Sequence, residues 1–249
     1  MKKLLLRADD LGYSEGVNYG IAKSVKEGLI GSVGVMTNMP ATIHGLNLLK
    51  DTKVCFGQHT NICVGKPLTD PSLIPSITNE KGEFKSSKEY RQAKEDFVVL
   101  EEVIIEIEAQ YKKFVELVGE QPHYFEGHAV SSTNFFKGLE IVAEKYGLKY
   151  SGMSFGGEAI KISNKDVYVS MDSMMPNYEP FEALKKMIEN AEDEGYYMFI
   201  CHPGYLDGYI LKNSSLTMPR PMEVDMLCDP NTRKWIEEAA VELITYDDL

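Results

Sequence analysis

The feature that most limits how this chain can fold is an alternation. Short apolar runs of strand length recur between longer amphipathic runs about seven times along the 249 residues. Strand candidates are KLLLRA (3–8), SVGVMTN (32–38), KVCFGQHT (53–60), HYFEGHAV (123–130), LKYSGMSF (148–155), DVYVSMD (166–172) and YYMFICH (196–202), with VELITY (241–246) as a further one. Helical spacing fits 16–27, 41–50, 135–146, 181–194 and 231–240. The longest amphipathic run, 87–118, keeps Phe97, Leu100, Val103, Ile104, Ile107, Tyr111, Phe114, Val115 and Val118 on one face. Repeated strand–helix order implies parallel strands joined by right-handed crossovers. An open doubly wound sheet and a (β/α) barrel both satisfy it. No G-x-G-x-x-G or G-x-x-x-x-G-K-[ST] run supports the nucleotide-binding form of the open sheet.

Nothing in composition suggests a domain boundary, so residues 1–249 read as one domain. One stretch breaks the rhythm: 64–87 carries prolines at 67, 71 and 75 and a glycine at 82. Following the strand that ends near His59, such a loop reads as a rim or lid. Apolar residues are 43% and charged residues 26%, ordinary for a soluble globular chain. No apolar run nears the roughly 20 residues that span a bilayer, so no membrane partner is expected. MKKLLLRADD meets charge after three leucines and reads as a first strand, not a leader. The net charge of −12, without a basic cluster, argues against nucleic acid. Cys55, Cys63, Cys201 and Cys228 form no C-x-x-C pair, so a reduced, cytoplasmic protein is expected.

Polar residues fall at telling places. Asp9 and Asp10 end the first strand, His59 the third, His128 the fourth and His202 the seventh. Parallel strands put their carboxyl ends on one face, where catalytic groups of such folds gather. Taken singly, the aspartates could be turn chemistry and each histidine a half-buried residue bonded to a carbonyl. Joint placement raises them above that. His44, in a helix, and His123, at the start of a strand and the opposite end from the site, keep the bland reading. A carboxylate and two neutral imidazoles suit a metal ion with positions left open for water and substrate. A second carboxylate can then take a proton from water, and a further histidine can protonate a leaving group. Adjacent strand residues face opposite ways, so Asp9 and Asp10 share a site only if the chain turns there; Leu11-Gly12 allows it.

ADDLGYSEGVNYGI (8–21), GQHTNICVGKPL (57–68), FEGHAV (125–130), CHPGYLD (201–207) and RPMEVDML (220–227) resemble, in order and spacing, the YdjC-like carbohydrate deacetylases, which include the chitooligosaccharide (chitin disaccharide) deacetylases. The resemblance implies an α/β fold, an irregular TIM-like (β/α) barrel of about seven parallel strands. It implies a divalent metal on Asp10, His59 and His128, zinc by preference with magnesium, manganese or cobalt as alternatives. It further implies Asp9 as general base and His202 as general acid. Arg220, in a matching Arg-x-x-Glu with Glu223, is expected to touch substrate or orient Asp9; the bland reading is an exposed ion pair with Glu223. The substrate implied is a short N-acetylated amino sugar, with Arg7 and Arg220 able to clamp a phosphate if it carries one. Tyr205, with Tyr13, Phe155 and Tyr178, could stack on sugar faces. A homodimer is common among resembling proteins, and no helix here demands one.

Two departures matter. Arg7 stands where the family usually has asparagine. The family's Asp-Ser-His-x-His-x-His reads here Glu126-Gly127-His128-Ala129-Val130-Ser131-Ser132, so two histidines become Val130 and Ser132. This keeps two other readings alive: a different metal hydrolase acting on a phosphate ester or another amide, with Glu126 as an extra ligand, and a catalytically degenerate sugar-binding barrel.

Overall fold

The computed structural model describes residues 1–153 and 157–249. Phe155 and the end of the 148–155 strand candidate lie outside them.

The first half alternates β1 (Lys2–Leu11), α1 (Glu15–Lys26), β2 (Ser32–Val35), α2 (Thr42–Leu49), β3 (Cys55–Thr60), α3 (Ser87–Gln92), α4 (Leu100–Val118), β4 (Phe125–Gly127) and α5 (Thr133–Tyr146). The second half is β5 (Ile160–Ile162), β6 (Lys165–Ser170), α6 (Pro180–Glu189), β7 (Tyr196–Cys201), α7 (Gly208–Asn213), α8 (Pro219–Cys228), α9 (Pro230–Glu238) and β8 (Val241–Ile244). The sheet runs β4-β3-β2-β1-β7-β6-β5, with β8 also on β1. Among the described residues every ladder is parallel except the β5–β6 hairpin. The strands curl into an α/β half-barrel of the expected TIM-like kind.

β1 is the hub. Leu4 to Leu11 are all buried, as a strand covered on both faces requires. It pairs with β7 through Lys3–Ala8 and with β8 through Lys2–Leu5, then meets β2 at Arg7, Ala8 and Leu11. Between Ala8 and Leu11 its register with β2 slips, and the slip contains the two aspartates.

The helices follow local chemistry. Ser14 caps α1 by accepting from the Val17 amide, and Ser132 caps α5 by accepting from Phe135. Gly119 and Gly147 end α4 and α5 at φ 89° and 67°, which glycine tolerates best. The expected helix over 87–118 is two helices. Ala93 turns extended (ψ 135°), and Asp96 in the gap accepts from the Ser132 hydroxyl and the Asn134 amide. The 148–155 strand reduces, within the described residues, to one bridge from Tyr150 to Phe125. β5, α7 and α8 were not expected.

The proline-rich stretch is pinned rather than free. Ile74, Ile77 and Phe84 are buried in the core cluster that α4 and α5 share. Glu106 accepts the Leu68 and Thr69 amides at 3.1 and 2.9 Å, and Glu102 accepts the Ser76 amide at 2.7 Å. No helix among the described residues is long and apolar enough to cross a membrane.

Packing under the site is tight. A Cβ on Gly57 would stand 2.2–2.4 Å from the Tyr124 ring, which stacks on Tyr246 at 3.7 Å. Gly57→Ala is therefore expected to destabilise the fold by about 3 kcal/mol through overpacking, read from urea denaturation midpoints.

Candidate metal centre

The slip in β1 answers why the aspartates are adjacent. Asp10 has φ 79°, so the strand bends and both carboxylates enter the same buried region. Asp9 and Asp10 are 2% and 1% exposed, and each has its own arginine. Arg7 grips Asp9 with two parallel bonds, Nε to Oδ1 at 2.7 Å and Nη2 to Oδ2 at 2.8 Å. Arg220 donates Nη2 to Asp10 Oδ2 at 2.7 Å.

With Oδ2 so held, Asp10 Oδ1 faces two imidazoles. His59 Nε2 is 3.1 Å and His128 Nδ1 3.0 Å away, and the two nitrogens are 2.9 Å apart. Three donor atoms from β1, β3 and the residue after β4 thus form a triangle. The other His59 nitrogen, Nδ1, lies 2.5 Å from Glu126 Oε1, which turns Nε2 toward Asp10. Gly34 makes room: a Cβ there would sit 3.0 Å from Glu126 Oε1 and 3.2 Å from Asp9 Oδ1. Two borderline nitrogens and a hard oxygen converging on one point, each set by an outer partner, fit a divalent metal ion.

The electrostatics agree. Burial works against the Asp10 carboxylate, but Arg220 and His128 hold it well below the usual range. Burial likewise opposes charge on Arg7, and Asp9 outweighs it, so the guanidinium stays protonated. Glu126 is pulled below its ordinary value by His59 and Arg7 in spite of burial. His128 rises to about 9 against burial, through Asp10 and a hydrogen bond with the Cys63 thiol.

His202 follows β7, with its Nδ1 3.2 Å from the Ser173 hydroxyl. Burial pushes it down to about 4, against the pull of Asp10 and Asp9, so it rests neutral. Its backbone amide donates to Glu223 Oε2 at 2.5 Å.

Some expectations need correction. Arg7 and Arg220 are 4% and 1% exposed and spend their donors inside the protein, so neither is placed to clamp a substrate phosphate. Arg7 also donates to Tyr246 at 2.9 Å; Arg220 also reaches the Leu216 and His202 carbonyls at 3.0 and 3.4 Å. Arg220 orients Asp10, and it is Arg7 that orients Asp9. Glu223 is fully buried, forms no ion pair with Arg220, and accepts from the Tyr178 hydroxyl at 2.8 Å. Tyr178 and Tyr13 are buried; Tyr13 lies edge-on to His128. Tyr205 is 38% exposed, with its amide on the Gly16 carbonyl and its hydroxyl within electrostatic reach of Lys23. The sequence offers Glu126 only as an extra ligand of an alternative hydrolase, and the contacts of Ser173 and Cys63 with the histidines carry no signal in it.

The fold and the donor set define the class: a (β/α) half-barrel with a buried Asp-His-His cluster fit to hold a metal ion. Residues 3–238 match the YdjC-like protein family, and the chain belongs to it. It is similar to carbohydrate deacetylase 2 of Listeria innocua, 31% identical across 99% of this chain and 98% of that one. A Citrobacter koseri chitooligosaccharide deacetylase is 27% identical across 99% and 98%. Among solved structures, an Enterococcus faecalis protein named for cellobiose-phosphate cleavage superposes with TM-score 0.84 at 22% identity, covering 99% of this chain and 98% of that one. A family 4 acetyl xylan esterase from Clostridium thermocellum, solved with a cobalt ion, gives TM-score 0.51 at 11% identity over 99% and 89%. These two likenesses speak for the fold.

Glu223 supplies a pH test. Burial raises its carboxyl to about 7 from an ordinary 4.5. A raised carboxyl pKa means the folded state holds the proton longer than the unfolded one. That contribution is fully present below pH 4.5 and is lost as pH rises to 7, on the order of 3 kcal/mol. Glu223→Gln should lose less stability than the parent over that interval, measured by thermal unfolding at a series of pH values.

Proposed function

We propose that this protein is a metal-dependent hydrolase that removes N-acetyl groups from short amino-sugar oligosaccharides such as N,N'-diacetylchitobiose. The observation that carries the reading is the Asp10–His59–His128 triangle with a second, separately clamped carboxylate, Asp9, beside it. Family membership and the named activities of the relatives support it.

Asp10, His59 and His128 would hold the divalent ion, zinc by preference; bound there, it would supply Lewis acidity for a water and an acyl carbonyl. The chain's own residues do the rest. Asp9 accepts a proton from the attacking water. Its carboxylate has lone pairs beyond the two that Arg7 occupies, so the clamp fixes it without using it up. The water oxygen bonds to the acetamide carbon, and the C–N bond then breaks. His202 gives the amine its proton. Because His202 rests neutral, the proton it gives is the one Asp9 took from the water, passed on once growing negative charge on the acyl oxygen favours its uptake, which leaves Asp9 ionised again. Acetate and a free amino sugar leave. Tyr205, 38% exposed just beyond β7, would be the aromatic that meets a sugar face.

The departures at 130 and 132 spare the triangle. Val130 is packed in the core, and Ser132 caps α5 while donating to Asp96. A cytoplasmic, reducing setting belongs to the same proposal, supported by four cysteines that are all free.

Acetate release from diacetylchitobiose should vanish on metal stripping and return with zinc. Asp9→Asn should lower it about 10²–10⁴-fold with metal still bound, whereas His59→Ala should lose the metal as well. Full activity of Asp9→Asn would remove the base assignment. A metal-loaded protein that binds the sugar without releasing acetate would make it a sugar-binding barrel.

A further inference from the structure

At the opposite end of the barrel, three side chains of different chemistry meet. We propose that Cys55, His123 and Asp247 form a second metal site, for one zinc-class divalent ion, apart from the catalytic centre. The Cys55 sulfur, a His123 ring nitrogen and an Asp247 carboxylate oxygen all lie within 4.8 Å of one another. His123 Nδ1 is 2.5 Å from Asp247 Oδ1, and the Cys55 thiol is hydrogen-bonded to the same carboxylate. The three come from separate segments: the first residue of β3, the connection into β4 and the C-terminal turn.

Each position is fixed by its backbone. The Cys55 amide donates to Gly31 at 3.0 Å and the His123 amide to Phe56 at 2.9 Å. Thr245 and Asp248 cap the turn that carries Asp247. Thiolate, imidazole and carboxylate together are a zinc set, unlike the all-oxygen shells that magnesium and calcium prefer. The His123 and Asp247 side chains are 30% and 61% exposed, which leaves an entry path and a fourth position for water. Four residue steps along β3 separate Cys55 from His59, about 13 Å at the usual rise, so one ion cannot serve both sites.

A bound ion would tie the C-terminal turn to the starts of β3 and β4. That turn holds Tyr246 under the site, where its ring stacks on Tyr124 and its hydroxyl accepts from Arg7, the partner of Asp9. The role is thus a staple beneath the carboxylate clamp. The inference stands apart from the proposed activity.

The test is a metal count. Protein stripped, reloaded with excess zinc and desalted should hold two zinc ions per chain. Cys55→Ser and His123→Ala should each hold one, with the partly exposed His123 serving if the buried Cys55→Ser fails to fold. His59→Ala should also hold one, retaining this site. Cobalt-loaded protein should show a thiolate-to-cobalt charge-transfer band that Cys55→Ser abolishes and Cys63→Ser keeps. One zinc in the parent, unchanged in Cys55→Ser and His123→Ala, would overturn the proposal and leave the catalytic reading intact. So would a band lost only in Cys63→Ser.

Discussion

Two carboxylates are buried on neighbouring residues, and two buried arginines keep them there. That arrangement is the constraint on which the rest of the site rests. A lone buried carboxylate takes up a proton rather than pay for desolvation. Here Arg7 and Arg220 divide the pair between them, one guanidinium to each aspartate. The division also separates their tasks. Asp9 is held by both oxygens, whereas Asp10 keeps one oxygen for the imidazoles. A regular strand could not do this, because it would send the two side chains to opposite faces. The bulge and the positive φ of Asp10 are the local cost, a conformation that an aspartate accepts more readily than most residues.

Around that pair the site is built in a chain of dependence. Glu126 aims His59, Cys63 hydrogen-bonds His128, and Ser173 and Glu223 hold the His202 ring and backbone. Gly34 has no side chain because any would meet Glu126 and Asp9. Underneath, Tyr124 and Tyr246 stack on one another and steady Arg7. The half-barrel supplies position, and this buried polar network supplies orientation.

The departures from the family pattern become readable in the same terms. Arg7, where the resemblance leads one to expect an asparagine, is the clamp on Asp9. Ser132 joins the end of β4 to the 93–99 connection through Asp96, so it serves the fold that presents His128. Val130 fills core volume.

The order of strands and helices was legible because burial imposes a period on the sequence, and parallel topology then gathers the strand ends. Asp9, Asp10, His59, His128 and His202 could all be placed at one face on that ground alone. Their partners could not. Arg7 and Arg220 could be read as able to clamp a substrate phosphate because a lone arginine carries no mark of what it faces. α8, which brings Arg220 and Glu223 inward, has hardly any amphipathic stripe, since it buries charged residues as well as apolar ones. Cys55, His123 and Asp247 are far apart in sequence and belong to no motif. Sequence by itself determined the alternation, the strand ends and the residue types at them, because these follow from local period and chemistry. Which arginine meets which carboxylate, and which nitrogen faces the triangle, was decided only by tertiary structure, because those contacts join residues up to 210 positions apart.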